Sequence, residues 1–466
     1  LYMAKSIYVC QSCAAEFKKW AGQCSECQAW NSISEEVQDP SIARLGKAVP
    51  LTTTPITQTQ NQDSKRRSTG IDEFDRVLGG GLVHGSAILL GGSPGIGKST
   101  LLLQAAAALA ASPTHRTVLY ITGEESIAQV AARGERIQSQ HDDLHVLASC
   151  ELESIVATIA KMRPSVVVVD SVQTTVSAKL SSAPGTVSQV RDCAAALIQQ
   201  AKKMGHVLVL VGHVTKDGAL AGPRVLEHMV DAVLYFEGER GHAHRIVRAV
   251  KNRFGPAGEI GVFEMSDRGL KGIGDASRLF LAERSEGVAG SVVLACMEGT
   301  RPLLVEVQAL VAKTVYATPK RSAVGLDANR VAMLIAVLER RANVPLASHD
   351  VYINVAGGVK IMEPGADVAI ALAVLSAFQD QPLTARTVVF GELGLTGEVR
   401  AVGHPEARVR EAVNLGFNRL LLPSNNAERV QDDHFAATLR TVGVVHVAPI
   451  TTLADMAQQA FASTIL

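Results

Sequence analysis

At 466 residues, with 47% hydrophobic and 19% charged side chains, the chain has the length of about three ordinary domains and the balance of a folded globular protein. Its 45 Lys and Arg equal its 45 Asp and Glu, so no global charge draws it to nucleic acid or membrane, and such contacts must come from local basic stretches. Aromatic residues make up only 4%, which excludes extensive base-stacking surfaces.

The opening LYMAKSIYVC has no apolar core, so no signal peptide is expected. Runs such as VVVVD and HVLVLVG are too short to span a bilayer. A soluble, cytoplasmic protein without a membrane partner is the expectation. Residues 1–30 carry Cys10-x2-Cys13 and, ten residues later, Cys24-x2-Cys27. Two such pairs can wrap one tetrahedral ion, and four thiolates suit a closed, structural Zn²⁺ site. Disulfides fit a reducing compartment poorly, and a redox pair would adjoin a βαβ unit. Lys18, Lys19 and Trp20, between the pairs, have two readings: contact with nucleic acid or a partner, or cover for a tiny core. Cys150, Cys193 and Cys296 are expected as buried thiols. Residues 31–70, rich in Thr, Gln and Ser without periodicity, read as a linker.

Over residues 71–274, short β-branched runs alternate with helical patterns, which predicts a mostly parallel sheet with helices on both faces. Gly92-Ser93-Pro94-Gly95-Ile96-Gly97-Lys98-Ser99, followed by Thr100, fits G-x-x-x-x-G-K-[ST] between a strand and an apolar helix. In that setting backbone N–H groups surround the phosphates of ATP or ADP, Lys98 reaches the β/γ-phosphates and Ser99 ligates Mg²⁺. Asp170 closes SVVVVD, where a second Mg²⁺-directed carboxylate belongs. Glu124 and Glu125 end YITGEES; either can activate the attacking water, and Glu124 is favoured. His213 follows HVLVLVG, as a γ-phosphate sensor or as a satisfied core histidine.

Further on stands Lys251-Asn252-Arg253-Phe254-Gly255, in a basic stretch with Arg240, Arg245 and Arg248. By itself this is either an exposed basic turn or a set of cations reaching phosphates across a subunit boundary. STGIDEFDRVLGGGLVHGSAILLGGSPGIGKST resembles the start of a RecA-superfamily ATPase core. Together with the four-cysteine module and KNRFG, nearly the whole chain is similar to the bacterial RadA (Sms) family. The resemblance implies a DNA-dependent ATPase of recombination and repair, a hexameric ring that promotes branch migration on single-stranded and branched DNA with the RecA recombinase as partner. It favours a catalytic role for Lys251 and Arg253. It also implies that the loops around Gln173–Ser188 and Lys216–Arg224 line a central channel.

Residues 275–466 read as a separate α+β unit in which two strands precede the first helix. VYINVAGGVKIMEPGADVAIALAVLSA and FGELGLTGEVRAVGHPEARVREA resemble the proteolytic domain of Lon proteases. The family's serine falls on Gly365 and its lysine on Glu406; neither residue can perform the chemistry of that dyad, so an inactive Lon-like scaffold is expected. The basic residues Lys313, Lys320, Arg321, Arg330, Arg340 and Arg341 suggest a DNA-facing surface or a solvated charged face. An ATP-dependent protease and a RecA-fold signalling ATPase of the circadian-clock type, with no DNA role, are the competing readings.

Overall fold

A computed structural model describes residues 5–10, 15–38, 66–112, 117–180, 182–213, 225–238, 244–315, 318–432 and 445–461. Two compact units divide the chain, Leu1–Gly274 and Asp275–Leu466.

The first unit begins with a three-stranded antiparallel sheet of β1 (Lys5–Cys10), β2 (Glu16–Phe17) and β3 (Ile33–Gln38), with β1 in the centre. Strand β3 pairs with β1 along its whole length, from Cys10↔Ile33 to Lys5↔Gln38. The cysteine module therefore runs through Gln38, past residue 30 where the sequence placed its end. ISEEVQ is too polar to announce a strand, and pairing supplies what composition does not.

The rest of the unit contains α1 (Asp72–Val77), β4 (Ala87–Gly92), α2 (Lys98–Ala111), β5 (Val118–Thr122), α3 (Ile127–Arg136), β6 (Leu144–Ala148) and α4 (Leu152–Met162). It continues with β7 (Val166–Asp170), α5 (Val187–Met204), β8 (Val207–His213), α6 (Val225–Met229), β9 (Ala232–Glu237), β10 (His244–Asn252), β11 (Ile260–Ser266) and β12 (Gly269–Gly272). The sheet order is β12-β11-β10-β9-β4-β8-β7-β5-β6. From β9 to β6 neighbouring strands are parallel, and β10, β11 and β12 add an antiparallel extension. Strands buried on both faces read as unbroken apolar runs, which is why VVVVD and VLVLVG are so plain in sequence. The alternation shows in packing. Ile88, Leu90, Val166, Val168, Val207 and Val209 pack with α2 on one face. Ala87, Leu89, Val167, Val169, Leu208 and Leu210 pack with α4 and α5 on the other. Ser126 and Gln129 form a capping box that starts α3.

His206, just before β8, is 3% exposed, and neither ring nitrogen has a hydrogen-bond partner among the described residues. Burial, with His84 adding to it, pulls its pKa down from 6.5 to about 4. The unfolded chain then binds a proton that the folded one refuses, so stability is full above pH 6.5 and falls as pH drops towards 4. We expect a loss on the order of 3 kcal/mol across that window, and His206→Gln should flatten it. Urea midpoints at pH 7 and pH 5 check this; equal acid sensitivity in both proteins would rule out His206 as the source.

The second unit contains α7 (Ala276–Leu281), β13 (Ser291–Glu298), β14 (Arg301–Lys313), β15 (Arg321–Val324), α8 (Ala328–Arg341), β16 (His349–Val355), α9 (Asp367–Gln379), β17 (Thr387–Val389), β18 (Glu392–Leu393) and β19 (Val399–Arg400). It closes with α10 (Pro405–Asn414), β20 (Arg419–Pro423), α11 (Ser424–Val430), β21 (His446–Ile450) and α12 (Leu453–Ala460). The main sheet runs β15-β16-β14-β13-β17-β20-β21, antiparallel around β14 and parallel from β13 to β21. Helix α9, DVAIALAVLSAFQ, is buried around almost its whole circumference, as an all-apolar helix must be. A short helix, α7, precedes the first strand, contrary to the expected order; it spans only 6 residues, too few for a readable period.

Candidate functional site

The P-loop is set by β4 and α2. Helix α2 starts at Lys98, directly after Gly97 at φ 120°, a conformation that only glycine adopts readily. A Cβ there would also come within 2.8 Å of Met265 Cε. Pro94, Gly95, Gly97, Lys98, Ser99 and Thr100 line a cleft of about 360 Å³ with Thr122, Glu124, Glu125, Arg133, Arg136, Asp170 and Met265. Ser93 is the exposed crest of the turn, whereas Gly92 ends β4 and Ile96 is buried beneath it.

Lys98 is 4% exposed, and its ammonium donates to the carbonyl oxygens of Gly92 at 2.7 Å and Ser93 at 3.0 Å. Burial lowers its pKa, while the Asp170 and Glu124 carboxylates oppose the shift. Asp170 sits at the end of β7, where Tyr120 donates to its Oδ2 at 2.6 Å. Burial, and then Asp170 itself, hold the Tyr120 phenol well above its ordinary pKa, so it remains a donor. Glu124 accepts from the Ser171 hydroxyl at 2.7 Å, which places it beside Asp170. Glu125 is instead paired with Arg133. The two glutamates, equivalent in sequence, thus have different surroundings.

Tyr120, Arg133, Arg136 and Met265 escaped the sequence reading. Tyr120 looks like any apolar strand residue, the two arginines like the solvated face of a helix, and Met265 comes from an antiparallel strand that no motif marks. His213 ends β8 opposite Gly92, so its backbone lies level with the P-loop. The loop Lys216–Arg224 lies outside the described residues, as does Arg240.

KNRFG lies at the other end of the sheet. Asn252 on β10 pairs with Ala232, which pairs with Ile88 at the start of β4, whereas Gly92 pairs with Phe236. At about 3.3 Å per residue, Asn252 lies roughly 13 Å along the strands from the P-loop and about two strand widths across, with Arg253 beyond it. Lys251 donates to the carbonyl oxygens of Glu227 at 2.7 Å and Val230 at 2.8 Å, ending α6. Burial and the neighbouring Arg253 lower its pKa. Arg253, 55% exposed, pairs with Asp231 at 3.2 Å, and Asp231 also accepts from the Ala87 amide at 3.0 Å. Asn252 accepts from the Phe254 amide at 2.9 Å, and Gly255 packs so closely on Gly79 that a Cβ would lie 3.0 Å from the Gly79 Cα.

Sequence reasoning treated Lys251 and Arg253 alike; the structure separates an internally bound ammonium from a half-exposed guanidinium. It also reduces the basic stretch, because Arg245 donates to the Ile96 carbonyl at 3.2 Å and Arg248 pairs with Glu237 at 3.2 Å.

In the cysteine module the thiols of Cys10, Cys24 and Cys27 lie within 4.8 Å of one another, with Cys10 and Cys27 at 3.6 Å. Cys13 lies outside the described residues. Three converging thiols fit a soft tetrahedral ion. Metal analysis should return about one zinc per chain, and chelation should unfold the module and expose its thiols; a metal-free preparation with the module intact would refute the assignment. Of the remaining cysteines, Cys193 and Cys296 are buried, and burial raises the Cys193 thiol to about 12. Cys150 is exposed, contrary to expectation; it follows β6, the edge strand of the sheet, none of whose residues is fully buried.

In the second unit Gly365 lies in a single turn of 3₁₀-helix before α9. Where a nucleophile would need room, the Glu363 carboxylate and the buried Arg408 guanidinium form a two-pronged pair at 2.6 and 2.7 Å. A Cβ on Gly365 would already lie 3.2 Å from Glu363. Glu406 turns to Arg429 at 3.1 Å. Of the second basic group, Arg330 is tied to Asp367 and Arg321 to the Leu346 carbonyl, while Lys313 and Arg340 are exposed.

Comparison with known proteins agrees with this architecture. Residues 8–35 match a rubredoxin metal-binding domain, residues 53–219 an AAA domain, and residues 308–426 the ChlI subunit of Mg-chelatase. The chain is 51% identical over 422 residues to the DNA repair protein RadA of Listeria monocytogenes, covering 90% of this chain and 92% of that protein. It is 50% identical over 430 residues to RadA of Bacillus subtilis, covering 91% and 93%. With RadA of Brucella abortus it shares 50% identity over 442 residues, covering 92% and 94%. Among the described residues no helix is long and apolar enough to cross a membrane. An ATP-binding P-loop core, a zinc-binding cysteine module and a Lon-like second unit, matched along nine-tenths of its length, place this chain in the RadA family of DNA repair proteins.

Proposed function

We propose that this protein is a DNA-dependent ATPase that works as a hexameric ring, moving branch points in recombination intermediates on single-stranded and branched DNA together with the RecA recombinase. The observation that carries the motor reading is the placement of KNRFG. Arg253 stands too far from its own P-loop to touch the nucleotide there, yet its guanidinium is half exposed, as a group serving a neighbouring subunit's ATP must be. Lys98 and the P-loop amides would hold the phosphates, and Ser99 and Asp170 would hold Mg²⁺, which would supply positive charge against the transferring phosphate. Tyr120 fixes the Asp170 carboxylate. Glu124 orients and deprotonates the attacking water; Glu125, tied up by Arg133, is the poorer candidate.

The second unit acts as a scaffold without peptidase chemistry, since the Gly365 position is closed off by the Glu363–Arg408 pair. The test is phosphate release measured alone, with single-stranded DNA and with casein. Stimulation several-fold or more by DNA, and none by casein, is expected, with casein left uncut. A rate indifferent to DNA would favour a signalling ATPase, and ATP-dependent casein cleavage would favour a protease.

A further inference from the structure

The protein has 2 tryptophans, and both lie in the cysteine module, largely in solvent: Trp20 is 59% exposed and Trp30 71%. An indole usually contributes most of its large apolar surface to a core, so leaving both outside a module this small calls for a reason. The two approach one backbone point. A Cβ on Gly22 would lie 3.8 Å from Trp20 Cη2 and 4.0 Å from Trp30 Cζ3. The backbone fixes this arrangement through a Gln23↔Trp30 antiparallel bridge and an Asn31 amide that donates to the Gly22 carbonyl at 2.8 Å. The Trp20 indole N–H donates to the Ile33 carbonyl at 3.1 Å. Its polar edge is therefore satisfied inside the module, which pins the ring while most of its surface stays open. Lys18 and Lys19 are exposed immediately before it.

We propose that Trp20 and Trp30 form a small stacking site for unpaired DNA bases, with Lys18 and Lys19 neutralising the flanking phosphates. Flat aromatic faces beside cations are the chemistry of single-strand recognition, because every base offers a π-face and every linkage a charge. Indoles also anchor protein partners, but the exposed Lys18 and Lys19 immediately before Trp20 favour a polyanion. Among the described residues of the module, the large exposed hydrophobics are these two indoles alone. Duplex DNA keeps its bases stacked and so does not satisfy the site. The inference rests on the reading that the protein works on DNA, and it adds a contact outside the ATPase core.

Because both tryptophans lie in the module, tryptophan fluorescence of the full-length protein, excited beyond the tyrosine band, reports on this site alone. Short oligo(dT) should quench it, and duplex of equal length should not. Trp20→Ala/Trp30→Ala should bind labelled oligo(dT) about fivefold or more weakly, with zinc content and basal ATP turnover unchanged. Trp20→Phe/Trp30→Phe should restore most of the binding, which a loss of module folding would not allow. Lys18→Ala/Lys19→Ala should reduce the salt dependence of binding by about one to two units of slope. If oligo(dT) binds and stimulates the ATPase while the emission is unmoved and the alanine variant binds like wild type, the stacking site is wrong and the DNA reading stands. If oligo(dT) neither binds nor stimulates, the DNA reading falls as well.

Discussion

Replacing Lys98 by alanine should reduce ATP turnover by at least ~10²–10³-fold, the scale of removing one preorganised charge donor from a transition state. The ammonium is already in position, 2.7 Å from the Gly92 carbonyl and 3.0 Å from that of Ser93, so little reorganisation is needed before it meets phosphate. It also interacts electrostatically with the Asp170 and Glu124 carboxylates across the cleft. Alanine removes the charge and leaves a void in a buried position, so the variant should be checked for intact secondary structure and full zinc content. With those preserved, phosphate release close to wild type would disprove the P-loop assignment.

The second large effect concerns the far end of the sheet. Arg253→Ala should leave folding and nucleotide binding largely intact, because its guanidinium is more than half exposed and the buried Asp231 carboxylate keeps its hydrogen bond from the Ala87 amide. In the proposed ring, hydrolysis should nevertheless fall by ~10³-fold, as for loss of an arginine finger. Lys251→Ala should behave differently: it strips a cation from two carbonyls at the end of α6, so lowered stability should accompany any loss of turnover. The direct test mixes Arg253→Ala subunits with Lys98→Ala subunits, each inactive alone. A finger acting in trans restores activity at interfaces that pair an intact P-loop with an intact Arg253, roughly a quarter of them at equal mixing. Rings demonstrated to be mixed and still inactive would assign KNRFG a role within its own subunit or on DNA.

The sequence by itself determined whatever rests on local pattern. The phosphate loop, the buried parallel strands, the paired cysteines and the replacement of the Lon-type serine and lysine positions by Gly365 and Glu406 are legible because each needs particular residues at fixed spacing. Tertiary structure decided whatever depends on neighbours distant in sequence. The adjacent Glu124 and Glu125 differ only because Ser171 meets one and Arg133 the other. Lys251 and Arg253 differ only because the end of α6 lies against one of them. The polar strand β3 exists because β1 offers it a complete ladder. Charge counts in sequence suggested a basic stripe, but Arg245 and Arg248 spend their donors inside the fold. Composition fixes how many cations a chain carries, whereas only packing fixes which of them remain available to a partner.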